Sequence, residues 1–285
     1  MQRVAYLTTQ DLVGFPTYDA LTVEPLRECG FEVEAVDWRA AEDWSRFAAV
    51  LPRSPWDYHL YPAEFFGVLD RVEASSARLF NDLETMRWNA DKRYLGELAE
   101  RGLNVVATEF GSRLDAEVFG SLRHRFGTDL VLKPAVSASA EDTFLLRDGD
   151  DPSYALAKLD GRTWLAQPFM QGIVDEGEYS LIYFDGELSH ALLKVTGEGD
   201  FRVQESWGGT IRPVDVELRL RQRSDEVMRA LPADLLYSRI DFVRDGDDFA
   251  LIEAELIEPS LYFSIDPEAP RRFARALSGR LGAGA

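Results

Sequence analysis

The stretch that most constrains this chain is residues 237–263, YSRIDFVRDGDDFALIEAELIEPSLYF. Two apolar runs flank the turn residues Asp245, Gly246, Asp247 and Asp248, the pattern of a β-hairpin. Successive strand side chains point to opposite faces, so Glu253 and Glu255 share one face while Ile252, Ala254 and Leu256 share the other. Carboxylates this close repel, and a half-buried sheet makes them costly to keep ionised. A hard divalent cation such as magnesium or manganese would relieve both problems, because it prefers oxygen ligands. An acidic hairpin edge facing water is the competing reading. For Asp241 to join Glu253 and Glu255, the register must match. A two-residue turn would pair Asp241 with Ala250 or Ile252, on the wrong face. The spacing therefore predicts an odd loop of roughly three or five residues.

The remainder of the chain limits what such a hairpin can serve. At 285 residues it is long enough to bury a large core in two or three lobes. A formal net charge of −19 argues against nucleic acid, whose phosphates select basic surfaces, and against anionic membranes. The opening MQRVAYLTTQDL turns polar too soon for a signal peptide, and no stretch approaches the ~20 apolar residues of a membrane span. The lone Cys29 leaves no internal disulfide and no thiolate metal cluster, so a cytoplasmic location is expected. A homodimer is the common default among symmetric assemblies.

Along the chain, strands are expected at 4–8, 31–36 and 48–51, with a helix over 19–29 ending at Gly30. Strand, helix and strand at this spacing begin an α/β unit with a parallel sheet, and no GxGxxG follows the first strand. Arg53, Trp56, Asp57 and Tyr58 then fall beyond a strand's carboxyl end, where α/β sheets bind ligands. They could hold the charged ends of an amino acid, or anchor a loop with Arg53 paired to Asp57. His59 and His124 are read as surface residues. Helices are expected at 64–73, at 88–101 carrying Lys92, and before Phe126. Strands are expected at 104–108, 130–134, 144–146, 164–167, 179–184 and 187–195. This later part reads as α+β with antiparallel hairpins.

Lys92, Lys133 and the acidic hairpin are distant in sequence, yet one ligand would unite them. The lysines suit the phosphate oxygens of a nucleoside triphosphate, and the carboxylates suit the cations that bridge those oxygens. With these motifs the sequence resembles the ATP-grasp superfamily, of the glutathione-synthetase and D-alanine–D-alanine-ligase kind. The resemblance is carried by 81–95 (NDLETMRWNADKRYL), 131–134 (VLKP), 167–170 (QPFM), 200–204 (DFRVQ) and the closing hairpin. The stretches RSPWDYH and ELIEPSLYF are most similar to a branch that includes the O-ureido-serine cyclo-ligase of cycloserine biosynthesis.

The resemblance implies an ATP-grasp fold: a Rossmann-like α/β domain over 1–78, and two lobes, 79–166 and 167–285, that enclose ATP with one or two magnesium ions, manganese being possible. It implies that Lys92 and Lys133 contact phosphates, helped by Ser137 and Ser139 of the following loop. Gln167 and Phe169 would lie on the adenine-reading hinge, and Glu178, with Asp175 as competitor, would hold the ribose. Arg202 would face the transferred phosphate. Asp241 and Glu253 would bind metal, with Glu255 where many members carry asparagine. Ser260 joins Arg53, Trp56, Asp57 and Tyr58 as a candidate substrate contact. The loop after Lys133 departs from the pattern, since 135–140 holds no glycine.

The implied reaction is attack of a small amino-acid-like carboxylate on the γ-phosphate, giving an acyl phosphate. A nitrogen nucleophile then forms an amide-type bond, between molecules or by cyclisation. The competing class is a catalytically silent ATP-binding sensor or scaffold. A two-carboxylate hydrolase is a third class, and it leaves Lys92, Lys133 and Arg202 without a task.

Overall fold

The computed structural model describes residues 1–10, 12, 17–40, 42–137, 140–197, 208–232 and 234–282. The first sheet contains β1 (Gln2–Thr8), β2 (Phe31–Asp37), β3 (Ala49–Ser54) and β4 (Arg78–Leu79), all parallel in the order β2-β1-β3-β4. The helices α1 (Val23–Glu28) and α2 (Pro62–Glu73) make its crossovers. A short 3-10 turn precedes α1, and Gly30 closes the connection at φ 90, a conformation that favours glycine.

Two expectations fail in the next segment. The single helix over 88–101 is broken into α3 (Leu83–Asn89) and α4 (Tyr94–Glu100), with Lys92 in the break. Asn89 is drawn away to bond Ala254 O at 2.7 Å and Leu256 N at 2.9 Å, while the Asp91 carboxylate accepts from Arg93 N at 3.0 Å in the turn before the second helix. The strand expected at 104–108 is one isolated bridge between Val105 and Leu251, after which the chain departs.

A second sheet then forms from β5 (Glu109–Gly111), β6 (Leu130–Pro134), β7 (Phe144–Leu146) and β8 (Trp164–Pro168), in the antiparallel order β5-β8-β6-β7. The helices α5 (Ala116–Phe126) and α6 (Ser153–Leu159) cover it around Phe119, Leu122, Leu159 and Trp164. The chain leaves through the short α7 (Gly172–Asp175) into β9 (Glu178–Phe184), β10 (Glu187–Val195), β11 (Thr210–Pro213), β12 (Tyr237–Asp245) and β13 (Asp248–Glu255). These make the third sheet, β11-β10-β9-β12-β13, with α8 (Leu218–Ala230) on its apolar face.

The β12–β13 register corrects the odd-loop expectation. Asp245 pairs with Asp248, leaving Gly246 and Asp247 as an even loop, with Gly246 at φ 59. Yet Asp241 still pairs with Glu253, because the ladder slips between Asp241 and Phe242, where Phe242 pairs with Leu251. Ile252 is the extra residue of a β-bulge, which restores the parity that the loop does not supply.

The final helix α9 (Ala269–Leu281) returns to the first sheet. Its Phe273, Ala274 and Leu277 share a core with Val4, Phe31 and Leu51 of the first sheet and with Phe184 and Tyr237 of the third. Each such fully buried large side chain contributes on the order of 2 kcal/mol. Asn81 staples the same junction: its amide donates to Tyr237 O at 3.0 Å and Leu256 O at 2.7 Å and accepts from Leu236 N at 2.7 Å.

Candidate active site

Alternation sorts the third sheet into two faces. Tyr179, Leu181, Leu193, Ile240, Phe242 and Ala254 turn into the core beneath α8. The opposite face carries Lys194 and Glu178, paired across β10 and β9; Ser180, Asp241 and Glu253, aligned across β9, β12 and β13; and Arg239 opposite Glu255. Gly177 permits the first of these pairs: at φ +127, an added Cβ would stand 2.5 Å from Lys194 O.

The acids of this face are matched to cations. Asp241 accepts from Arg239 Nε at 3.1 Å and Nη2 at 3.0 Å, and from the Ser180 hydroxyl, with Lys194 Nζ at 3.5 Å. Arg239 also pairs with Glu255, and Lys194 with Glu178. Lys92 reaches over from the helix break, 3.0 Å from Glu253 Oε1, and donates to Ser137 O at 2.8 Å. Lys133, on β6, has neither ion pair nor hydrogen bond at its ammonium among the described residues. Burial and the nearby Lys92 pull it below the ordinary lysine range, against the pull of Glu253 and Glu178.

Burial pushes the carboxyls of this face up, and their neighbours decide which stay there. At Asp241, Arg239 and Lys194 outweigh burial, and at Glu253, Lys92 and Lys133 do the same, so both sit below the usual carboxylate range. Glu178 is raised by burial and by Asp241 despite Lys194. Glu255 is pushed up to about 7 by burial, helped by Glu253 and Asp241 against Arg239. Glu258, just beyond the hairpin, is pushed up to about 8 by burial and Glu255. A nucleotide-bound cation would draw such protons off.

Asp241, Glu253 and Glu255 form an oxygen-only set that fits a hard divalent cation in kind. Among the described residues, however, no three of His, Cys, Asp and Glu converge closely enough to hold a metal ion. Arg239, Lys194 and Lys92 occupy the carboxylates instead. The structure thus brings the three expected metal residues to one face and in register, each already paired with a protein cation.

The other nucleotide candidates divide. Gln167, next to last in β8, has its amide on Thr108 Oγ1 at 2.9 Å, and Phe169, just past the strand, has its backbone N on Asp129 O at 2.9 Å. Beside them Met170, Ile173 and Ile252 pack on Val106, Val243 and Ala250, an apolar patch that the bulged Ile252 helps to build. Glu178 joins the charged face, whereas Asp175 is exposed at the end of α7, bonded by Gln171 at 2.8 Å. Ser137 donates to Pro134 O at 3.3 Å. Ser139 and Arg202, with the rest of 200–204, lie outside the described residues.

The substrate candidates on the first domain need correction. Arg53 is 1% exposed; its Nε and Nη2 stand 3.1 and 3.0 Å from Asp19 Oδ1, so its partner is Asp19 and not Asp57. Asp57 accepts from Arg39 at 2.6 Å and from Trp38 Nε1 at 2.7 Å. Tyr58 is buried against Phe65 with ring centroids 4.7 Å apart. Nor is His59 a surface residue: it bonds Trp56 O at 2.9 Å and pairs with Glu141 across to the second sheet's loop.

These residues grip the loop after the hairpin. Five successive carbonyls are each held by a different side chain: Ile257 O by the Tyr237 hydroxyl at 2.9 Å, Glu258 O by Trp56 Nε1 at 3.1 Å, Pro259 O by Arg53 Nη2 at 3.0 Å, Ser260 O by Arg239 Nη1 at 3.2 Å, and Leu261 O by His190 Nε2 at 3.0 Å. Ser260 is thereby tied through its carbonyl to Arg239 of the acid face. Sequence reasoning missed Arg239, Lys194 and Glu258. The first was within reach, because Arg239 has the same strand parity as Asp241; the other two required the fold.

A family profile described as "D-cycloserine synthetase DcsG, N-terminal domain" matches residues 4–81. The "Cycloserine biosynthesis protein DcsG" of Streptomyces lavendulae is 32% identical over 297 residues, covering 95% of this chain and 97% of that protein. The crystal structure of D-cycloserine synthetase DcsG superposes with a TM-score of 0.84 at 29% identity, over 98% of this chain and 99% of that one. D-alanine–D-alanine ligase from Bacillus anthracis complexed with ATP shares the fold, with a TM-score of 0.69 at 12% identity and 98% coverage of both chains.

Proposed function

The chain belongs to the ATP-grasp ligases, and from that premise we propose that it activates the carboxylate of a small amino-acid-derived compound and closes it onto a nitrogen of the same molecule. As a family member it is an ATP-dependent ligase: a carboxylate becomes an acyl phosphate, and an amide-type bond follows. The observation that carries the finer reading is the full-length similarity to a cycloserine-forming relative, including residues 4–81, which supply two of the five loop-gripping side chains, Arg53 and Trp56.

In this reading the apolar patch of Met170, Ile173, Ile252 and Val243 receives the adenine, with Gln167 at its edge. Glu178 holds the ribose. Lys133, without a partner among the described residues, and Lys92 bind phosphate oxygens. Asp241, Glu253 and Glu255 would hold magnesium, which would supply positive charge to offset that of the phosphates. Arg239, from its place on the acid face, and Arg202, from the resemblance, offset charge on the transferred group. The division into 1–78, 79–166 and 167–285 is supported by the grouping of strands, one sheet to each part within a residue or two.

The test is the mass of the product formed with ATP, magnesium and O-ureido-serine or other amino-acid carboxylates. Substrate-dependent ADP release with an intramolecular product is expected. A product equal to two substrates less water would replace ring closure by joining, and ATP binding without turnover across the panel would leave a sensor.

A further inference from the structure

We propose that the Glu258 carboxylate receives the attacking nitrogen, accepting its N–H hydrogen bond and turning its lone pair toward the activated carboxyl carbon. The proposal rests on the ligase reading above and names a substrate contact within that site. It applies to any nitrogen nucleophile that carries an N–H.

Three observations carry it. Glu258 sits in the loop whose carbonyls at 257–261 are all held by side chains, drawn from the first domain and from β10 and β12. Such a loop cannot be explained by a need to fill space; it presents its side chains in a preorganised position. Next, Glu258 differs from its neighbours in lacking a donor. Glu178 has Lys194, Asp241 has Arg239 and Ser180, Glu253 has Lys92, and Glu255 has Arg239. Among the described residues nothing donates to the Glu258 side chain, and a half-buried carboxyl without a donor is costly unless a ligand brings one. Lastly, Glu258 follows β13 of the charged face by only three residues. Its own carbonyl is held by Trp56 of the first domain and the next carbonyl by Arg53, while Glu255, three residues earlier, stands opposite Arg239 on the charged face. It therefore lies between the phosphate-handling face and the substrate domain.

The step balances simply. The nitrogen–carbon bond forms and the carbon–oxygen bond to phosphate breaks, phosphate leaving with the electron pair. The proton shed by nitrogen passes to Glu258. Activation of the carboxylate by ATP precedes this and does not involve Glu258.

That separation supplies the test. Wild type and Glu258→Gln are incubated with ATP, magnesium and O-ureido-serine, with and without hydroxylamine, which traps the acyl phosphate as a hydroxamate. In Glu258→Gln the hydroxamate should stay within about threefold of wild type while the nitrogen–carbon product falls roughly a hundredfold. Glu258→Asp, which keeps the charge one methylene shorter, should recover part of that loss. If hydroxamate and product fall together, or neither falls, in a variant with wild-type melting behaviour, the proposal is overturned. Failure of wild type with O-ureido-serine counts against the ring-closing reading alone. The Glu258 ratio is then read on whichever carboxylate and amine the wild type does join.

Discussion

Arg53–Asp19 and Arg239–Asp241 are both buried arginine–aspartate pairs, and they do opposite work. Arg53 has one carboxylate and one carbonyl and is 1% exposed. Arg239 has two carboxylates and a carbonyl, and Asp241 in turn touches Lys194 and Ser180. The first pair holds the 257–261 loop in position through Pro259 O, with Arg53 Nη1 buried and without a hydrogen-bond partner among the described residues. The second belongs to a network of shared partners, the one proposed to receive phosphates and cations. Burial alone therefore does not mark a functional charge; shared partners at an open face do.

The largest expected effect breaks the open pair. Asp241→Asn should lower product formation by about three orders of magnitude, on the order of 4 kcal/mol of barrier. Stability should suffer less, because Arg239 keeps Glu255 and Lys194 keeps Glu178. The Arg53–Asp19 pair should respond the other way. Asp19→Asn should cost about 3 kcal/mol of unfolding free energy, read by denaturant melts, since it leaves a buried guanidinium uncompensated. The folded fraction should keep its kcat within about threefold.

Smaller effects sharpen the contrast. Glu255→Gln should raise the magnesium concentration for half-maximal activity about tenfold, with little change at saturation. In the empty protein Glu255 keeps its proton up to about 7 when folded but only to its ordinary 4.5 when unfolded. The folded state thus binds more protons between those values, and stability falls as pH rises across that window. Thermal melts should show a shallower fall in Glu255→Gln. His190, which holds the 257–261 loop, has the opposite sign. Burial lowers it from 6.5 to about 4, so its contribution is lost as pH falls through that range.

Much of the active face was legible in the residues, for local reasons. Strand alternation placed Glu253 with Glu255, and the first strands and helix announced a parallel sheet. The hairpin was right in outcome and wrong in cause: the parity came from the bulge at Ile252, which no turn signal announces. Lys92 sits in a helix break because Asn89 prefers the backbone of β13, a partner more than 160 residues away. Arg53 looked like a ligand clamp because its partner, Asp19, lies 34 residues earlier in a turn read only as a helix start. The resemblance supplied the proposed phosphate roles of Lys92 and Lys133 and the proposed metal roles of Asp241 and Glu253. The clamp on 257–261 depends on donors from three separate regions, and only the assembled fold reveals it.

The most direct test of this contrast is magnesium-dependent ATP binding, measured by calorimetry on wild type, Asp241→Asn and Asp19→Asn. Wild type and folded Asp19→Asn should bind alike, and Asp241→Asn should bind more than about a hundredfold more weakly with magnesium present. Equal binding by wild type and Asp241→Asn would contradict the assignment of the open charged face to the nucleotide and its cation.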